Sequence, residues 1–405
     1  FIDSAIKKGA KYCLTDNNNY RQNKKIICVE NIYDYLNELA IRKRNLYKGK
    51  VIGITGSAGK TTFKETLVFF LKKYHSISFS KKSYNNKLGV LISLLNINLQ
   101  SAYSIFEIGT NNFGEIKNLT KIVRPSEIFI TNIQSTHLEN FKSKNNIAKE
   151  KSDIFVSKYN TNRKKLYLNI TNKPENIIIS KAKKEKNLKI IFINKFSKKY
   201  FIKKIIAKKN SYQVIFSINK KLININTTSL IMFRLINLLF CYAFFNENYL
   251  EIDTITKRYK YLKPVDGRGL IHNILLNKLK IKIIDESYNA NPDTMTQSIN
   301  YFNNIKKANN KKILILGNMN ELGENSYKLH LNLLKQLDNS IFKFVILSGK
   351  FFERSIKKLD NPSNEFIYFE NKNKIMKFLE KHVHNNDIIL IKCSNSTEIN
   401  NFTKD

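Results

Sequence analysis

The sequence has no tryptophan, and it has only four cysteines in 405 residues. The cysteines lie far apart and form no C-x-x-C pair, so their spacing indicates neither a disulfide framework nor a zinc site. They are Cys13, Cys28, Cys241 and Cys393. The first residues also lack the charged and then apolar pattern of a secretory signal. These absences give no indication of export, and we expect a protein of the reducing cytoplasm.

Long apolar runs are missing as well. The stretch that comes nearest to a membrane span, residues 230–245, is close to the lower length limit for a span and contains Arg234 and Asn237. We therefore interpret it as a buried helix, and we expect no membrane-spanning segment.

Acidic residues are scarce relative to basic ones. The 32 Asp and Glu stand against 70 Lys and Arg, which leaves a formal net charge of +38 at pH 7. A basic surplus favours binding to nucleic acids or membrane surfaces when it forms a patch. Here lysine, asparagine and isoleucine are abundant in loops and strands alike. We interpret the charge as a general bias in composition that attracts anions, including nucleotides, and we expect no specific nucleic-acid partner.

The length and the 42% apolar content are sufficient for two or three packed domains, since a domain has about 150 residues. Residues 1–47 read as a short α/β remnant that is too small to be stable alone. From residue 51 the pattern alternates between strands and helices, which predicts a mostly parallel sheet covered on both faces. Its further strands are predicted near residues 104–108, 128–133, 166–170 and 189–193.

A change of rhythm and a second α/β unit follow. Residues 213–218 and 221–225 predict an antiparallel hairpin with Asn219 and Lys220 in its turn. Residues 263–269 read as a linker. Later strands are predicted near residues 281–284, 313–316, 344–347 and 388–391. We therefore expect an α/β protein with a partial N-terminal domain (1–47), a central P-loop-type domain with a mostly parallel sheet (48–265) and a C-terminal Rossmann-like domain (266–405).

The most informative stretch is residues 51–62, V-I-G-I-T-G-S-A-G-K-T-T, in which an apolar strand runs into a glycine-rich turn and then a helical pattern. In a phosphate loop of this kind, backbone N–H groups and the helix N-terminus bind phosphate, a lysine bridges the terminal phosphates and a hydroxyl holds Mg²⁺. Ile54 stands where the general pattern has its first glycine. The pattern still predicts a nucleotide site, with candidate residues Gly56, Ser57, Ala58, Gly59, Lys60, Thr61 and Thr62.

Two polar side chains follow neighbouring strands of the same predicted sheet. Glu107 lies near the carboxyl end of its strand, at the edge where doubly wound sheets bind ligands. It is a candidate ligand for Mg²⁺ beside the phosphates, or else an ordinary surface or paired carboxylate. His137 follows the next strand on the same edge, and alone it is equally open to a functional and a structural interpretation.

Lys151 has an unusual place in the pattern. In the helix predicted from about residue 146, it shares a face with Ile147, Ile154 and Phe155. A lysine in such a position can extend its ammonium group to the surface. Alternatively, partial burial lowers its pKa and leaves a neutral amine that CO₂ converts into a carbamate, an anionic oxygen ligand for a hard cation.

The second unit has a polar loop, D-E-S-Y-N-A-N-P-D at residues 285–293, between a strand and a helix. Asn291 is the predicted cap of that helix, and Pro292 is in its first turn. Such a loop can contact a ribose or a base. Arg268 in the linker can reach a terminal phosphate when the two units close, or it can form a structural salt bridge.

Seven stretches together resemble the Mur ligase family, the ATP-dependent amide-forming enzymes of peptidoglycan synthesis. They occur in the family's order over essentially the whole chain. They are residues 53–65 (G-I-T-G-S-A-G-K-T-T-F-K-E), 85–90 (N-N-K-L-G-V), 107–116 (E-I-G-T-N followed by G-E-I), 137–141 (H-L-E-N-F), 151–155 (K-S-D-I-F), 285–295 (D-E-S-Y-N-A-N-P-D-T-M) and 316–323 (L-G-N-M-N-E-L-G).

The resemblance implies a reaction and its partners. A carboxylate of a UDP-linked muramoyl tripeptide would attack the γ-phosphate of ATP, and the amine of D-alanyl-D-alanine would then displace phosphate from the acyl phosphate. The resemblance also implies two Mg²⁺ ions. Thr61 and Glu107 would hold one, and His137 and a carbamoylated Lys151 would hold the other. We expect a monomer that works in the cytoplasm.

Further roles follow from the same resemblance. Lys60, His137, Lys151 and Arg268 would form the catalytic set, with Lys60 on the β- and γ-phosphates. The loop residues Asn289, Asn291 and Asp293 would engage the nucleotide from the C-terminal domain. The substrate-binding residues would be Asn85, Asn86, Lys392 and Ser394.

The chain departs from the family pattern in four places, one of which is Asn318 in place of the expected Asp. Ala58 stands where Asn is usual, Phe233 and Arg234 replace a His-Asn pair, and residues 392–395 lack the arginine expected to hold the carboxylate of the dipeptide. Two alternatives stay open. One is a ligase of the same family that adds a different amino acid, and the other is a basic nucleotide-binding protein without ligase activity, which would need no metal ligands beyond the phosphate loop.

Overall fold

The structure is a computed structural model that describes residues 1–20, 23–156, 163–170, 174–209, 211–228, 231–305, 312–337, 342–359, 366–400 and 402. Helices and strands within these residues are numbered in chain order. Short 3₁₀ turns, which are left without labels, lie at Asn18–Tyr20, Ser152–Ile154, Asn194–Phe196, Tyr259–Tyr261 and Gly323–Asn325.

The N-terminal segment is a small α/β unit. It consists of α1 (Ile2–Lys7), β1 (Cys13–Thr15), β2 (Ile26–Cys28) and α2 (Ile32–Leu46), and its two strands pair in parallel. Arg44 near the end of α2 donates from Nε to the carbonyl of Val123 at 2.7 Å and from Nη2 to that of Arg124 at 3.1 Å. The unit is therefore tied to the sheet domain that follows it.

The central sheet has six strands that all run parallel, in the order β4-β5-β3-β6-β7-β8. They are β3 (Lys50–Thr55), β4 (Ile77–Phe79), β5 (Tyr103–Glu107), β6 (Glu127–Ile130), β7 (Lys164–Asn169) and β8 (Leu188–Ile193). The three middle strands β5, β3 and β6 are almost continuously buried, as expected for a parallel sheet with helices on both faces. The predicted parallel sheet is confirmed.

Two apolar cores cover the two faces of this sheet. One contains α3 (Lys60–Leu71) and α9 (Met232–Glu247), and α10 (Asp253–Arg258) packs beside them. The other contains α2 together with α4 (Lys87–Leu95), α5 (Glu115–Val123), α6 (Leu138–Phe141), α7 (Lys144–Lys151) and α8 (Glu175–Ala182). The loops that follow β3, β5 and β6 meet at the carboxyl edge between these layers, where sheets of this kind bind ligands.

The apolar run at residues 230–245 is a buried helix, as predicted. Helix α9 begins at Met232, and its residues from Leu235 to Phe245 are all buried, whereas residue 230 is outside the described part of the chain. Across the residues that the structure describes, no helix combines the length and the apolar character needed to cross a bilayer.

A three-stranded antiparallel sheet packs on the α9 side. Its strands are β9 (Tyr200–Ala207), β10 (Tyr212–Ile218) and β11 (Lys221–Thr227), in the order β11-β10-β9. The predicted hairpin is confirmed, because Asn219 and Lys220 form its turn with φ of +48° and +75°. The third strand, β9, was not predicted as a separate strand, because Lys203 and Lys204 interrupt the alternation of its apolar residues.

The C-terminal sheet has the order β12-β13-β17-β14-β15-β16, with β12 antiparallel and the other strands parallel. Its strands are β12 (Leu270–Leu276), β13 (Leu279–Glu286), β14 (Lys312–Gly317), β15 (Phe344–Ser348), β16 (Phe366–Tyr368) and β17 (Ile388–Lys392). Its helices are α11 (Pro292–Asn303), α12 (Ser326–Lys335), α13 (Lys350–Ile356) and α14 (Lys372–His382). The four predicted strands are confirmed, and the two edge strands β12 and β16 were missed.

Candidate active site

The glycine turn between β3 and α3 has a geometry that side chains would disrupt. Gly56 has φ of +144°, and a Cβ atom there would lie 1.9 Å from Oγ1 of Thr131. Gly59 has φ of +78° and directly precedes α3. The N–H of Ala58 donates to Oδ1 of Asn132 at 3.0 Å. The turn is therefore fixed against the end of β6, and Ala58 contributes through its backbone.

Ser57 makes a second attachment to the same neighbouring loop. Its Oγ accepts from the N–H of Gln134 at 2.9 Å and donates to the carbonyl of Gln134 at 3.2 Å. Both hydrogen bonds of the Ser57 hydroxyl are thus made to the backbone of Gln134.

Lys60 is the first residue of α3, and its Nζ donates to the carbonyl of Gly56 at 2.8 Å. Burial lowers the pKa of Lys60, the negative charge of Glu107 raises it, and the positive charge of Arg268 lowers it. These charges act on one another because the phosphate loop, the end of β5 and the linker converge at this point.

Thr61 and Glu107 form the acidic side of the site. Oγ1 of Thr61 donates to Oε2 of Glu107 at 2.7 Å and lies 3.1 Å from Oγ of Ser83. Nδ2 of Asn85 donates to the other carboxylate oxygen at 2.8 Å. Glu107 is 1% exposed, so its interpretation as a surface carboxylate is wrong. It is a buried carboxylate at the end of the phosphate loop.

Arg268 reaches the phosphate loop from the linker. Its Nη2 donates to Oγ1 of Thr61 at 3.1 Å and to Oγ of Ser83 at 3.3 Å, and its guanidinium lies 4.1 Å from the ring centre of Tyr288. Burial lowers the pKa of Arg268, and the nearby Glu107 raises it. Nη2 of Arg234 donates to the carbonyl of residue 269 at 3.0 Å, which supports the linker backbone beside Arg268.

His137 lies on the loop after β6 and meets the C-terminal unit. Its Nδ1 is 2.6 Å from Oε2 of Glu321, and its ring stands edge-on to Phe141. The hydrogen bond from His137 lowers the pKa of Glu321. The side chain of Leu138 packs against both the central core and the C-terminal core. The two units are therefore in contact at His137.

Lys151 is buried at the end of α7, as the helical spacing predicts, with 1% exposure. Burial lowers its pKa well below the ordinary value, the charge of Lys60 lowers it further, and Glu150 raises it. Glu150 itself accepts from the N–H groups of Gly114 at 2.7 Å and Ile116 at 2.9 Å. Within the described part of the chain, Nζ of Lys151 has no hydrogen-bond or ion-pair partner. Because only 1% of Lys151 is exposed, the snorkelling interpretation is wrong.

The polar loop after β13 has the predicted cap. Asn291 accepts from the N–H of Thr294 at 2.9 Å at the start of α11, and its Nδ2 donates to Oε1 of Gln134 at 3.4 Å. The carbonyl of Asn289 accepts from Nζ of Lys392 at 3.1 Å. Asn289 and Asn291 therefore lie where the two units face each other.

Asp293 makes contacts within the protein. Its Oδ2 accepts from the N–H of Ser135 at 2.9 Å, and its Oδ1 accepts from Nζ of Lys144 at 3.0 Å. Both partners belong to the central unit, so Asp293 connects the units.

The four residues expected to bind substrate are in different environments. Asn85 holds Glu107, as described above, whereas the side chain of Asn86 caps α4 by accepting from the N–H of residue 89 at 2.9 Å. Lys392 is buried, and its Nζ lies 3.1 Å from Oε2 of Glu286. Ser394 accepts from the N–H of residue 320 at 3.0 Å. Asn85 and Ser394 face the larger cavity of the site, and Lys392 faces the smaller one.

Two adjoining cavities lie between the units. The phosphate cleft holds about 1150 Å³ of space and is bordered by Lys60, Glu107, His137, Glu321 and Ser394. The side pocket holds about 620 Å³ and is bordered by Thr62, Phe233, Gln297 and Lys392. The residues common to both walls are Ala58, Gly59, Arg268, Tyr288 and Asn289. The glycine turn therefore separates the two cavities and faces both.

Some residues of the site were not found from the sequence. Ser83 contacts both Thr61 and Arg268, Tyr288 supports the Arg268 guanidinium, and Glu321 contacts His137. Tyr288 and Glu321 belong to stretches that resemble the family, but their partners are remote in sequence, and no local pattern identifies them.

The residues present suit magnesium. Among the residues that the structure describes, no three His, Cys, Asp or Glu side chains form a ready metal centre. Mg²⁺ commonly uses one or two carboxylates together with water and phosphate oxygens. The paired hydroxyl and carboxylate of Thr61 and Glu107 provide such a site beside the phosphate loop. The imidazole of His137 borders the phosphate cleft, and the buried amine of Lys151 would be a further donor only after conversion into an oxygen ligand.

Comparison with known proteins assigns the class. Residues 54–245 match the Mur ligase middle domain, and residues 274–395 match the domain described as Mur ligase, glutamate ligase domain. The chain is 33% identical over 415 residues to the UDP-N-acetylmuramoyl-tripeptide--D-alanyl-D-alanine ligase of Rickettsia prowazekii, covering 98% of this chain and 87% of the relative. The chain is 30% identical over 421 residues to the enzyme of the same name from Buchnera aphidicola subsp. Acyrthosiphon pisum. That match covers 100% of this chain and 87% of the relative.

Solved structures agree in fold. MurF from Acinetobacter baumannii superposes with a TM-score of 0.83 at 21% identity, over 98% of this chain and 85% of that one. The MurF ligase from Thermotoga maritima in complex with ADP superposes with a TM-score of 0.81 at 24% identity, over 98% of this chain and 88% of that one. Fold and site thus define a P-loop protein with a cleft between two α/β units. The chain belongs to the Mur ligase family, whose members are ATP-dependent ligases.

Proposed function

We propose that the chain is an ATP-dependent ligase that joins D-alanyl-D-alanine to a UDP-linked N-acetylmuramoyl tripeptide in the synthesis of peptidoglycan precursors. Relatives named for that activity match nearly the whole chain. The observation that carries the proposal is the contact of Arg268 with Thr61 of the phosphate loop, at the junction of the two cavities.

The arrangement of the cavities suits the three substrates. The base and ribose of ATP would occupy the side pocket, whose wall includes Phe233, Tyr288 and Asn289. The phosphates would then lie along the glycine turn. The larger phosphate cleft would receive the carboxylate of the tripeptide and the amine of the dipeptide, so that the reacting atoms meet beside Lys60.

The reaction requires positioning and charge neutralisation more than covalent chemistry. An oxygen of the tripeptide carboxylate forms a bond to the γ-phosphorus, and the bond to ADP breaks. The amine of the dipeptide then bonds to the carbonyl carbon of the acyl phosphate, phosphate leaves, and the amine loses a proton. Lys60 and Arg268 would balance the charge of the phosphates, and the N–H groups of the turn would orient them.

The metal assignments are part of the proposal. Thr61 and Glu107 would hold one Mg²⁺, and His137 and a carbamoylated Lys151 would hold the second. When bound, these ions neutralise charge on phosphate and carboxylate oxygens. The carbamate forms when the neutral amine bonds to the carbon of CO₂ and loses a proton. The burial of Lys151 and its lowered pKa support this step.

We also propose the domain boundaries 1–47, 48–265 and 266–405. They are supported by the separation of the strands into the β1–β2 pair, the two sheets of the middle part and the C-terminal sheet. The first domain would face the UDP end of the substrate, while the other two close around ATP.

The proposal is tested by product formation. The purified protein should release phosphate from ATP only when both the UDP-linked tripeptide and D-alanyl-D-alanine are present, and mass spectrometry should find the joined product. Activity with a different amino acid in place of the dipeptide would indicate another ligase of the family. ATP binding without product under all these conditions would indicate a nucleotide-binding protein.

Replacement of Lys151 tests the second metal site. Lys151→Ala should abolish product formation, because the buried amine is the source of the carbamate. Lys149→Ala is the matched control, since Lys149 lies on the same helix with an exposed side chain. Added bicarbonate should raise the activity of the unsubstituted protein at low pH. Full activity of Lys151→Ala would show that the metal assignment is wrong.

A further inference from the structure

The loop at residues 318–323, which follows β14, is held at three consecutive residues. The N–H of Met319 donates to Nε2 of the buried His330 at 2.9 Å, and the N–H of Asn320 donates to Oγ of Ser394 at 3.0 Å. The carbonyl of Glu321 accepts from the N–H of residue 139 in the central unit at 3.3 Å. The backbone beneath the Glu321 side chain is therefore fixed from both units.

Glu321 and His137 share an unusual backbone conformation. Glu321 has φ of +64° and His137 has φ of +51°, in the left-handed region that residues other than glycine rarely adopt. Such residues cluster at functional sites, where the surrounding structure holds them in place. The Glu321 side chain is 57% exposed, so burial in a core does not explain why the chain keeps this conformation. Both residues border the phosphate cleft.

The contact between these residues determines where the imidazole carries its hydrogen. Oε2 of Glu321 lies 2.6 Å from Nδ1 of His137. A carboxylate only accepts hydrogen bonds, so Nδ1 must be the donor. In a neutral ring the hydrogen on Nδ1 leaves a lone pair on Nε2. A carboxylate that orients a histidine in this way is a common partner of metal-binding histidines.

We propose that Glu321 is a positioning residue that fixes His137 in the Nδ1–H tautomer and so keeps the Nε2 lone pair available to Mg²⁺ in the phosphate cleft. This inference rests on the proposed function. Because Glu321 belongs to the C-terminal unit and His137 to the central unit, the tautomer is selected only while the two units are docked. A plain ion pair between the units would not need this tautomer.

The first test is spectroscopic and needs no substrate. The full chain is labelled with ¹⁵N-histidine, and the ring nitrogens of His137, assigned with a His137→Gln variant, are measured at about pH 8. We expect a protonated Nδ1 and an unprotonated Nε2. Glu321→Ala should remove this preference, and Glu321→Gln should keep part of it, because the amide oxygen still accepts. The matched control is Glu324→Gln, a change of the same charge at an exposed residue of the following turn.

The second test is kinetic. Glu321→Ala should lower kcat by about 10- to 100-fold, the usual effect of removing a carboxylate behind a metal-binding histidine, whereas Glu324→Gln should keep the unsubstituted value. The KM for ATP should stay unchanged, since Glu321 acts through His137. A proton on Nε2 in the unsubstituted protein, or equal kcat values for Glu321→Ala and Glu324→Gln, would overturn the inference. If the unsubstituted protein forms no product at all, the proposed function fails, and the tautomer measurement still decides the inference.

Discussion

His330 predicts how the stability of the protein depends on pH. The imidazole is completely buried on α12, where Nδ1 donates to the carbonyl of Ser326 at 2.6 Å and Nε2 accepts from the N–H of Met319 at 2.9 Å. A second hydrogen on Nε2 would face the N–H of Met319, which is itself a donor. Burial lowers the pKa of His330 from the ordinary 6.5 to about 4, although the bond to Ser326 raises it.

The expected loss of stability follows from the difference between the folded and unfolded chains. Between pH 6.5 and about pH 4, the unfolded chain binds a proton at His330 that the folded chain does not bind. The free energy of unfolding therefore falls as the pH falls through this range. Above pH 6.5, the stability associated with the neutral His330 is fully present. A pKa difference of roughly 2.5 corresponds to about 3 kcal/mol, a large part of the stability of an ordinary domain.

The measurement compares urea unfolding, followed by circular dichroism, at about pH 7 and about pH 4. Other groups titrate in the same interval, so the informative quantity is the difference between the unsubstituted protein and His330→Gln. Glutamine can donate and accept like the neutral imidazole, but it does not titrate. The unsubstituted protein should lose about 3 kcal/mol more than His330→Gln over this interval.

The control is the same substitution at an exposed histidine, His384→Gln, where the side chain is 59% exposed. This variant should follow the unsubstituted protein at both pH values. If His330→Gln loses as much stability on acidification as the unsubstituted protein, then burial does not hold His330 neutral. The inference that its Nε2 accepts from the N–H of Met319 is then refuted.

Two further predictions concern the phosphate loop and the contact between the units. Gly56→Ala should abolish ADP binding in a calorimetric titration, because its Cβ would collide with Thr131. Gly59→Ala has open space around its Cβ and should retain binding, while its left-handed backbone lowers the free energy of unfolding by about 1–2 kcal/mol. Asp293→Asn and Lys144→Met should raise the KM for ATP by the same factor, roughly fivefold for about 1 kcal/mol, and the double variant should add nothing further. A larger effect of Asp293→Asn would indicate that Asp293 contacts the nucleotide itself.

Local features of the site were predictable from the sequence because their causes are local. The glycine turn is encoded by consecutive residues, and the cap of α11 is encoded by Asn291 followed by Pro292. The burial of Lys151 follows from the spacing of its apolar neighbours on one face of α7. Each of these inferences needs only the geometry of one helix or one turn.

The edge strands show where such reasoning is weaker. Strand β12 exposes Ile271 and Leu275 on its outer side, so its apolar residues do not alternate with polar ones. The signal that could have identified it is the turn at Asn277 and Lys278, which both have positive φ and join two apolar runs.

The cap at Asn86 was also missed, although an asparagine before an apolar helical pattern predicts the cap that the structure shows.

The roles of the polar residues depend on partners that are remote in sequence. Glu107 pairs with a hydroxyl 46 residues away, and Arg268 reaches the same hydroxyl across 207 residues. For both, the sequence left a functional and a structural interpretation open, and these contacts show only which side chains lie together.

The sequence predicts neither the left-handed backbone of His137, which a residue other than glycine rarely adopts, nor its contact with Glu321. Local preferences are usually consistent with the fold, so a residue that the structure holds against its preference identifies a place where function imposes a cost on stability. In this chain, both residues of one hydrogen bond, His137 and Glu321, have this unfavourable backbone conformation. Their contact therefore merits the first experiment.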